Sequence, residues 1–295
     1  MEQIEYKTKF GDSLKGNQRI VKDPKAIIVI VTGMAEHSER YDDFSNFLNA
    51  NGYFVYCLDH YGQGKNGELG NPCDDYFFKM VEVLNDFISE KKAEIGKEVY
   101  MFSHSMGSFV AQAYIEKYSS NISKVVLCGT NGRNPLVKVG LLLAKIMVHK
   151  GNRNKKAKFL HNLSVGAYEK VVKNEKSHNA WISYNEDNVK CYDEDPLSGY
   201  RCTNGFYLNF LKGLASIQKS KNVDAISNSI KVLITGGEDD PVGNNSKGLS
   251  KLFKLYKKHN VHVSLKIYRN MRHEILNETD HQIVYDDLLN FFEEN

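Results

Sequence analysis

Three stretches of the chain carry side chains that could act on one another chemically. The first is Ser103-His104-Ser105-Met106-Gly107, a serine with a small residue two places away on either side. It is a Gly-x-Ser-x-Gly turn with serine in place of the first glycine. A serine on a sharp turn between a strand and a helix needs small residues at both places, because neighbouring backbone comes close. Such a turn would expose the Ser105 hydroxyl. It would also aim the Met106 N–H at the place where an oxyanion forms, near the positive end of a helix. The same five residues also describe an ordinary serine N-cap, so their context decides.

A serine hydroxyl is a weak nucleophile until a base takes its proton, and the base needs a carboxylate to orient it. With this kind of turn the chain order is Ser, then Asp or Glu, then His. Gly236-Gly237-Glu238-Asp239-Asp240-Pro241 follows the run KVLIT. It would put a carboxylate at the carboxyl end of a strand, where doubly wound sheets carry function. Asp240, directly before the proline, is the expected acid and Asp239 its rival; a plain acidic surface turn also fits. His273 follows the run VSLKIY and precedes the last helical stretch, which suits a base. His104 adjoins Ser105, so its side chain should point away from it. His281 falls within a helix, and His149, His161 and His178 lie mid-chain. A second oxyanion donor is expected in Thr32-Gly33-Met34-Ala35-Glu36-His37-Ser38, where Gly33 admits close backbone approach and the Met34 N–H donates. This chemistry calls for no metal and no cofactor.

The elements that must position these groups can be read from hydrophobic periodicity. Ile4 to Phe10 and Gln18 to Val21, separated by Gly11-Asp12 and Gly16-Asn17, read as a hairpin. Ala26 to Thr32 is a β-branched run, as in a strand buried on both faces. Helical spacing over Ser38 to Ala50 ends at Asn51-Gly52. A strand over Tyr53 to Leu58, a helix over Asp74 to Glu94 and a strand over Val99 to Phe102 follow. Ser105 to Tyr118 reads as a helix and Lys124 to Cys128 as a strand. Alternation then stops until Ile230 to Thr235 (strand), Asn245 to Lys258 (helix), Val261 to Ile267 (strand) and Asp280 to Phe292 (helix). Alternating strands and helices predict a mostly parallel sheet covered on both faces. The interruption is too long for a structureless loop. The reading is therefore an α/β core over 1–130 and 225–295, with a helical insertion over 131–224.

The bulk numbers agree with one core plus an insertion. The chain has 295 residues, 41% of them hydrophobic and 25% charged, with a net charge of +3. That balance offers no basic field for nucleic acid. Leu136 to Val148 is the longest apolar run, too short and too interrupted by Lys138 and Lys145 to span a bilayer. The polar start, MEQIEYKTKFGD, lacks the apolar stretch of a secretory signal, which leaves the cytoplasm as the expected compartment. The five cysteines form no CxxC pair, so neither a disulfide framework nor a zinc site is expected.

Taken together, Gly33 to Tyr41 (GMAEHSERY), Asp59 to Gly64 (DHYGQG), Ser103 to Gly107, the Asp240 turn and Arg272 to Glu278 (RHEILNE) resemble the monoacylglycerol lipase and lysophospholipase branch of the α/β-hydrolases. The matching pieces run nearly end to end, in the family's order. The resemblance implies the α/β-hydrolase fold, an inserted cap over the active site and hydrolysis of esters with one acyl chain. It carries over Ser105, Asp240 and His273 as the triad, with Met34 and Met106 as oxyanion donors. The chain departs from the family in having Thr32 where His is usual and Ser103 where Gly is usual. These departures bear on the bracing of the oxyanion loop and the strain of the turn.

Within the insertion, apolar Leu136 to Val148 would line an acyl pocket. Lys150, Arg153, Lys155, Lys156 and Lys158 would suit an anionic head group or lipid surface. Equally, both could be ordinary packing and a solvated charged face. Trp181 is expected to sit in the packed interior of the insertion rather than against substrate. The triad also fits a broad esterase or thioesterase or an aminopeptidase-type amidase, and the fold alone would fit a silent ligand receptor. Oligomeric state is not encoded in any of these features.

Overall fold

The computed structural model describes residues 2–172 and 175–294, the side chain of Lys150 excepted. The strands are β1 (Glu2–Lys7), β2 (Ser13–Arg19), β3 (Ile27–Val31), β4 (Phe54–Leu58), β5 (Val99–His104), β6 (Lys124–Cys128), β7 (Lys231–Gly237) and β8 (His262–Tyr268). The helices are α1 (Asp42–Ala50), α2 (Tyr76–Ile95), α3 (Met106–Tyr118), α4 (Leu136–Met147), α5 (Lys158–Leu163), α6 (Val165–Glu169), α7 (Glu186–Glu194), α8 (Asn204–Ser216), α9 (Ser220–Val223), α10 (Lys247–Lys258) and α11 (His281–Glu293). The strands form one sheet in the order β1-β2-β4-β3-β5-β6-β7-β8. β1, β2 and β4 pair antiparallel, and every pairing from β4 to β8 is parallel.

Side-chain alternation along the strands divides the core into two layers. In β3, Ile27, Val29 and Val31 point to the face covered by α2, α3 and α10, while Ile28 and Ile30 point to the face covered by α1 and α11. All five residues are buried, which is why the strand reads as a continuous apolar run rather than an alternation. The Gly11-Asp12 pair makes the turn of the first hairpin, with Gly11 at φ +84°. Gly16-Asn17 does not: both residues lie inside β2. A side chain at Gly16 would strike the Cys57 carbonyl of β4, so this glycine serves a close approach of two strands, not a turn.

Between β6 and β7 the described chain runs through α4 to α9 and contributes no strand to the sheet. α8 anchors this segment by packing on α2 and α3. The Phe206 ring stacks on Tyr76 with centroids 5.0 Å apart, and the Phe77 ring fills the space that a side chain at Gly213 would need. α4 packs on α8. Only Ala144 of α4 is buried, so most of that helix's apolar side chains are not absorbed by packing.

Candidate active site

The carboxyl ends of β3, β5, β6, β7 and β8 converge on one cavity of about 1270 Å³, whose remaining walls come from the segment between β6 and β7. Ser105 stands at its base, between β5 and α3, at φ 51° and ψ −120°. Few L-residues adopt this conformation, and it persists only because the surroundings over-determine it. The Ser105 N–H donates to the Cys128 carbonyl at 3.0 Å, and the Ser108 hydroxyl donates to the Ser105 carbonyl at 2.6 Å. A side chain at Gly107 would strike the carbonyls of Val31 and Thr32, which is the steric reason for a glycine there. Ser103, where the family usually has glycine, is accommodated: its buried hydroxyl donates to the Val126 carbonyl at 2.6 Å. Met106 is the first residue of α3, so its N–H has no intrahelical acceptor.

Asp240 and His273 are brought together by the neighbouring strands that carry them. Beyond the ends of β7 and β8 the ladder continues, with Glu238 N donating to Tyr268 O and Asp239 N to Met271 O. Gly237 lies against the Met271 and Arg272 carbonyls, where a side chain would not fit. Asp240 Oδ2 and His273 Nδ1 are 3.0 Å apart, and both side chains are buried. The separation is that of a hydrogen bond, but the ring N–H is not aimed along it; such contacts commonly tighten when substrate binds. Asp240 Oδ1 is held by the Val242 N–H at 2.8 Å. Asp239 faces the other way and accepts from the Tyr184 hydroxyl at 3.0 Å. His273, Ser105, Met34 and Met106 all line the cavity. Gly129, at φ +57°, leaves room for the His273 ring; an added side chain there would come within 2.9 Å of its Cε1.

Several residues that the sequence reading passed over brace this site. Glu36 Oε1 accepts from Gly33 N and from the Tyr41 hydroxyl and faces His104 Nδ1 at 3.3 Å. Arg40 forks onto Glu274 at 2.6 and 2.8 Å, reaches Glu36 and donates to Asn188 of α7. Its guanidinium also lies over the Tyr192 ring. The Arg40 charge holds the Glu274 carboxyl down at about 2, against the desolvation that alone would raise it. Burial disfavours charge on His104 too, but the Glu36 carboxylate outweighs it and raises the imidazole's pKa. Both ring nitrogens of His104 are thus engaged, Nδ1 by Glu36 and Nε2 at 3.3 Å from the His273 carbonyl. The signal for this network was present in the two segments GMAEHSERY and RHEILNE. Nothing in either states that they pack together.

The loop after β3 is braced by other means than its first side chain. The Thr32 hydroxyl is buried without a partner among the described residues, while the Thr32 carbonyl faces His60 Nε2 at 2.9 Å. Burial pushes the His60 pKa down to about 4. Gln63 Oε1 accepts from Ala35 N at 2.7 Å, and Gln63 Nε2 donates to the Gly33 carbonyl at 2.8 Å. From the other side, His37 meets Asp195 at 2.8 Å, and Gly199 N donates to the Ala35 carbonyl.

Trp181 is packed with Ile182, Val189, Tyr192 and Val242, as expected of interior. It is not remote from substrate space, however. Its ring lies 5.2 Å from that of His273 and lines the cavity.

A family model described as Serine aminopeptidase, S33 (Hydrolase_4) matches residues 22–280. The chain belongs to this family. Among relatives, a monoacylglycerol lipase of Mycolicibacterium smegmatis is 25% identical over 90% of this chain and 87% of its own length. The human monoglyceride lipase is 26% identical over 88% of this chain and 81% of its own. The solved structure of a thermostable carboxyl esterase from Bacillus coagulans superposes with a TM-score of 0.89 at 25% identity, covering 99% of this chain and 97% of that one. The chain is a hydrolase of the α/β-hydrolase fold, in the monoacylglycerol lipase-like branch. Among the described residues no helix is long and apolar enough to cross a membrane.

Proposed function

We propose that this chain is a serine hydrolase that cleaves carboxylic esters of single-acyl lipids, monoacylglycerols or lysophospholipids, through an acyl-enzyme on Ser105. The observation that carries this reading is the shared cavity: a strained serine, a histidine next to a buried aspartate, and a wall rich in leucine, valine and aromatic side chains. His273 takes the Ser105 proton as the hydroxyl attacks the ester carbonyl, then gives it to the leaving alcohol. Asp240 selects the tautomer of His273 and stabilises its charged form. The N–H groups of Met34 and Met106 hold the oxyanion. Water, deprotonated by the same histidine, then releases the acid.

Segment 131–224 acts as a cap over this site in the same reading. Its apolar inner wall suits one acyl chain. An aminopeptidase, the activity in the family's description, needs a free carboxylate for a substrate ammonium. Here Glu36 and Glu274 are already committed to Arg40, and Glu169 faces His161 at 3.5 Å. The outward apolar face of α4, with Lys138 and Lys145 on the same helix, supports transient contact with an anionic lipid surface.

A substrate panel tests the proposal: monoacylglycerols, lysophospholipids, short esters, thioesters and aminoacyl amides, each with wild type and Ser105→Ala. Single-acyl lipid esters should be turned over best, and Ser105→Ala should lose roughly 10⁴-fold or more in kcat. A Ser105→Ala variant that keeps most of its esterase activity would refute the assignment. Preferred turnover of amides would shift the substrate class while leaving the nucleophile in place.

A further inference from the structure

Gly33, Met34 and Ala35, consecutive in the loop after β3, all line the cavity, and each carries one backbone N–H. Two of them are occupied. Gly33 N donates to Glu36 Oε1, and Ala35 N donates to Gln63 Oε1 at 2.7 Å. Among the described residues Met34 N has no acceptor. The other end of the Gln63 amide donates to the Gly33 carbonyl at 2.8 Å. That carbonyl belongs to the same peptide unit as the Met34 N–H. In a trans peptide the two point in opposite directions, and no peptide bond among the described residues is cis.

We infer that Gln63 is a positioning residue for the oxyanion site: by holding the Gly33 carbonyl back, its amide turns the Met34 N–H into the cavity. This rests on the proposed role of Met34. The orientation of the Gln63 amide is set by its partners, because a flipped amide would put oxygen against the Gly33 carbonyl and NH₂ against the Ala35 N–H. Gln63 is fully buried, and its own loop is tied by Gly62 N to Asn66 O at 2.7 Å and by Asn66 Nδ2 to Asp59 O at 2.7 Å. One side chain therefore fills the hydrogen bonds on both sides of Met34 and leaves a single donor over. Oxyanion stabilisation depends on donors that need no reorganisation when charge develops, so freedom of this peptide to rotate would be felt in the transition state and not in substrate binding.

The test uses Gln63→Met, which keeps the length of the side chain and removes both hydrogen bonds. With the best ester of the panel, kcat should fall about 10- to 100-fold with KM little changed, short of the roughly 10²–10³ that loss of a whole donor costs. Affinity for an alkylboronic acid, which forms a tetrahedral adduct on serine, should fall in step with kcat. Affinity for a non-hydrolysable ether analogue should not. In the wild-type protein, amide exchange followed by NMR should be slow at Gly33 and Ala35 and fast at Met34. A folded Gln63→Met with wild-type kcat, a loss shared equally by boronate and ether, or equal protection of the three amides would each overturn the inference. If the variant does not fold, the exchange pattern decides. If wild type binds no boronate and Ser105→Ala is fully active, the nucleophile reading fails instead, which is a separate result.

Discussion

Asp239 and Asp240 are adjacent carboxylates in opposite surroundings, and that contrast yields a clean pair of variants. Asp240 is buried beside His273 Nδ1, while Asp239 meets only the hydroxyl of Tyr184, a half-exposed side chain. Asp240→Asn keeps the shape but offers His273 an amide, which favours the wrong tautomer; kcat should drop by about 10⁴-fold. Asp239→Asn should leave turnover near wild type, because it removes one exposed hydrogen bond. Steady-state kinetics on a short ester decide the matter, and comparable losses in both variants would contradict the assignment of the acid. The placements that could be read from the sequence are those that neighbours in the chain explain: Ser105 in a small-residue turn between a strand and a helix, and Asp240 in a glycine-rich bend after a strand. Gln63, Arg40 and Glu274 could not be read that way. Gln63 bonds a loop 28 and 30 residues before it, Arg40 and Glu274 meet across 234 residues, and a glutamine or arginine in isolation looks like surface.

The elements carrying the site are held to one another by Arg40, which ties the loop after β3 to the loop after β8 and to α7. Replacing it by methionine would leave Glu36 and Glu274 buried without their cation, and breaking such a pair costs about 3–5 kcal/mol. Urea unfolding of Arg40→Met should show that loss near pH 7. The pH dependence has a definite sign. Glu274 is held at about 2 in the folded chain against an ordinary value of 4.5. Its contribution is therefore complete above about pH 4.5 and is lost as pH falls toward 2. Wild type should lose more stability than Arg40→Met over that window, so the two curves converge in acid; parallel curves would show that the pair does not supply the difference. The strands from β3 to β8 were legible at this scale because each holds an apolar run between turn residues; their order in the sheet was not, and the second hairpin strand, expected over Gln18 to Val21, is β2 at Ser13–Arg19, a polar stretch with no apolar run to mark it. The exception, Gly16, shows the limit: a glycine that admits a neighbouring strand looks the same in sequence as a glycine that makes a turn.

At the scale of the whole molecule, one helix carries apolar side chains both on the cavity wall and away from it. Leu136, Val137, Val139, Gly140 and Leu143 of α4 line the cavity, while Leu142 and Ile146 are 60% and 45% exposed and do not. Phe159, which also lies outside the cavity wall, is exposed as well. Large apolar side chains left exposed together commonly have a use as an interaction surface. In the proposed function that use is a lipid surface, which would place the cavity beside its substrate. Burying a leucine or isoleucine side chain is worth about 1.5–3 kcal/mol. Leu142→Ser/Ile146→Ser should therefore weaken partition onto phosphatidylglycerol vesicles by roughly 100-fold or more. Hydrolysis of a short, monomerically dissolved ester should stay at wild-type rate, because neither side chain reaches the cavity. Binding should also weaken with salt if the lysines of α4 contribute, since exposed charges are screened. Vesicle co-sedimentation of wild type and the double variant, read beside the short-ester rate, separates surface contact from catalysis. Equal partition of the two proteins would mean that the outer face of α4 is not what meets the lipid.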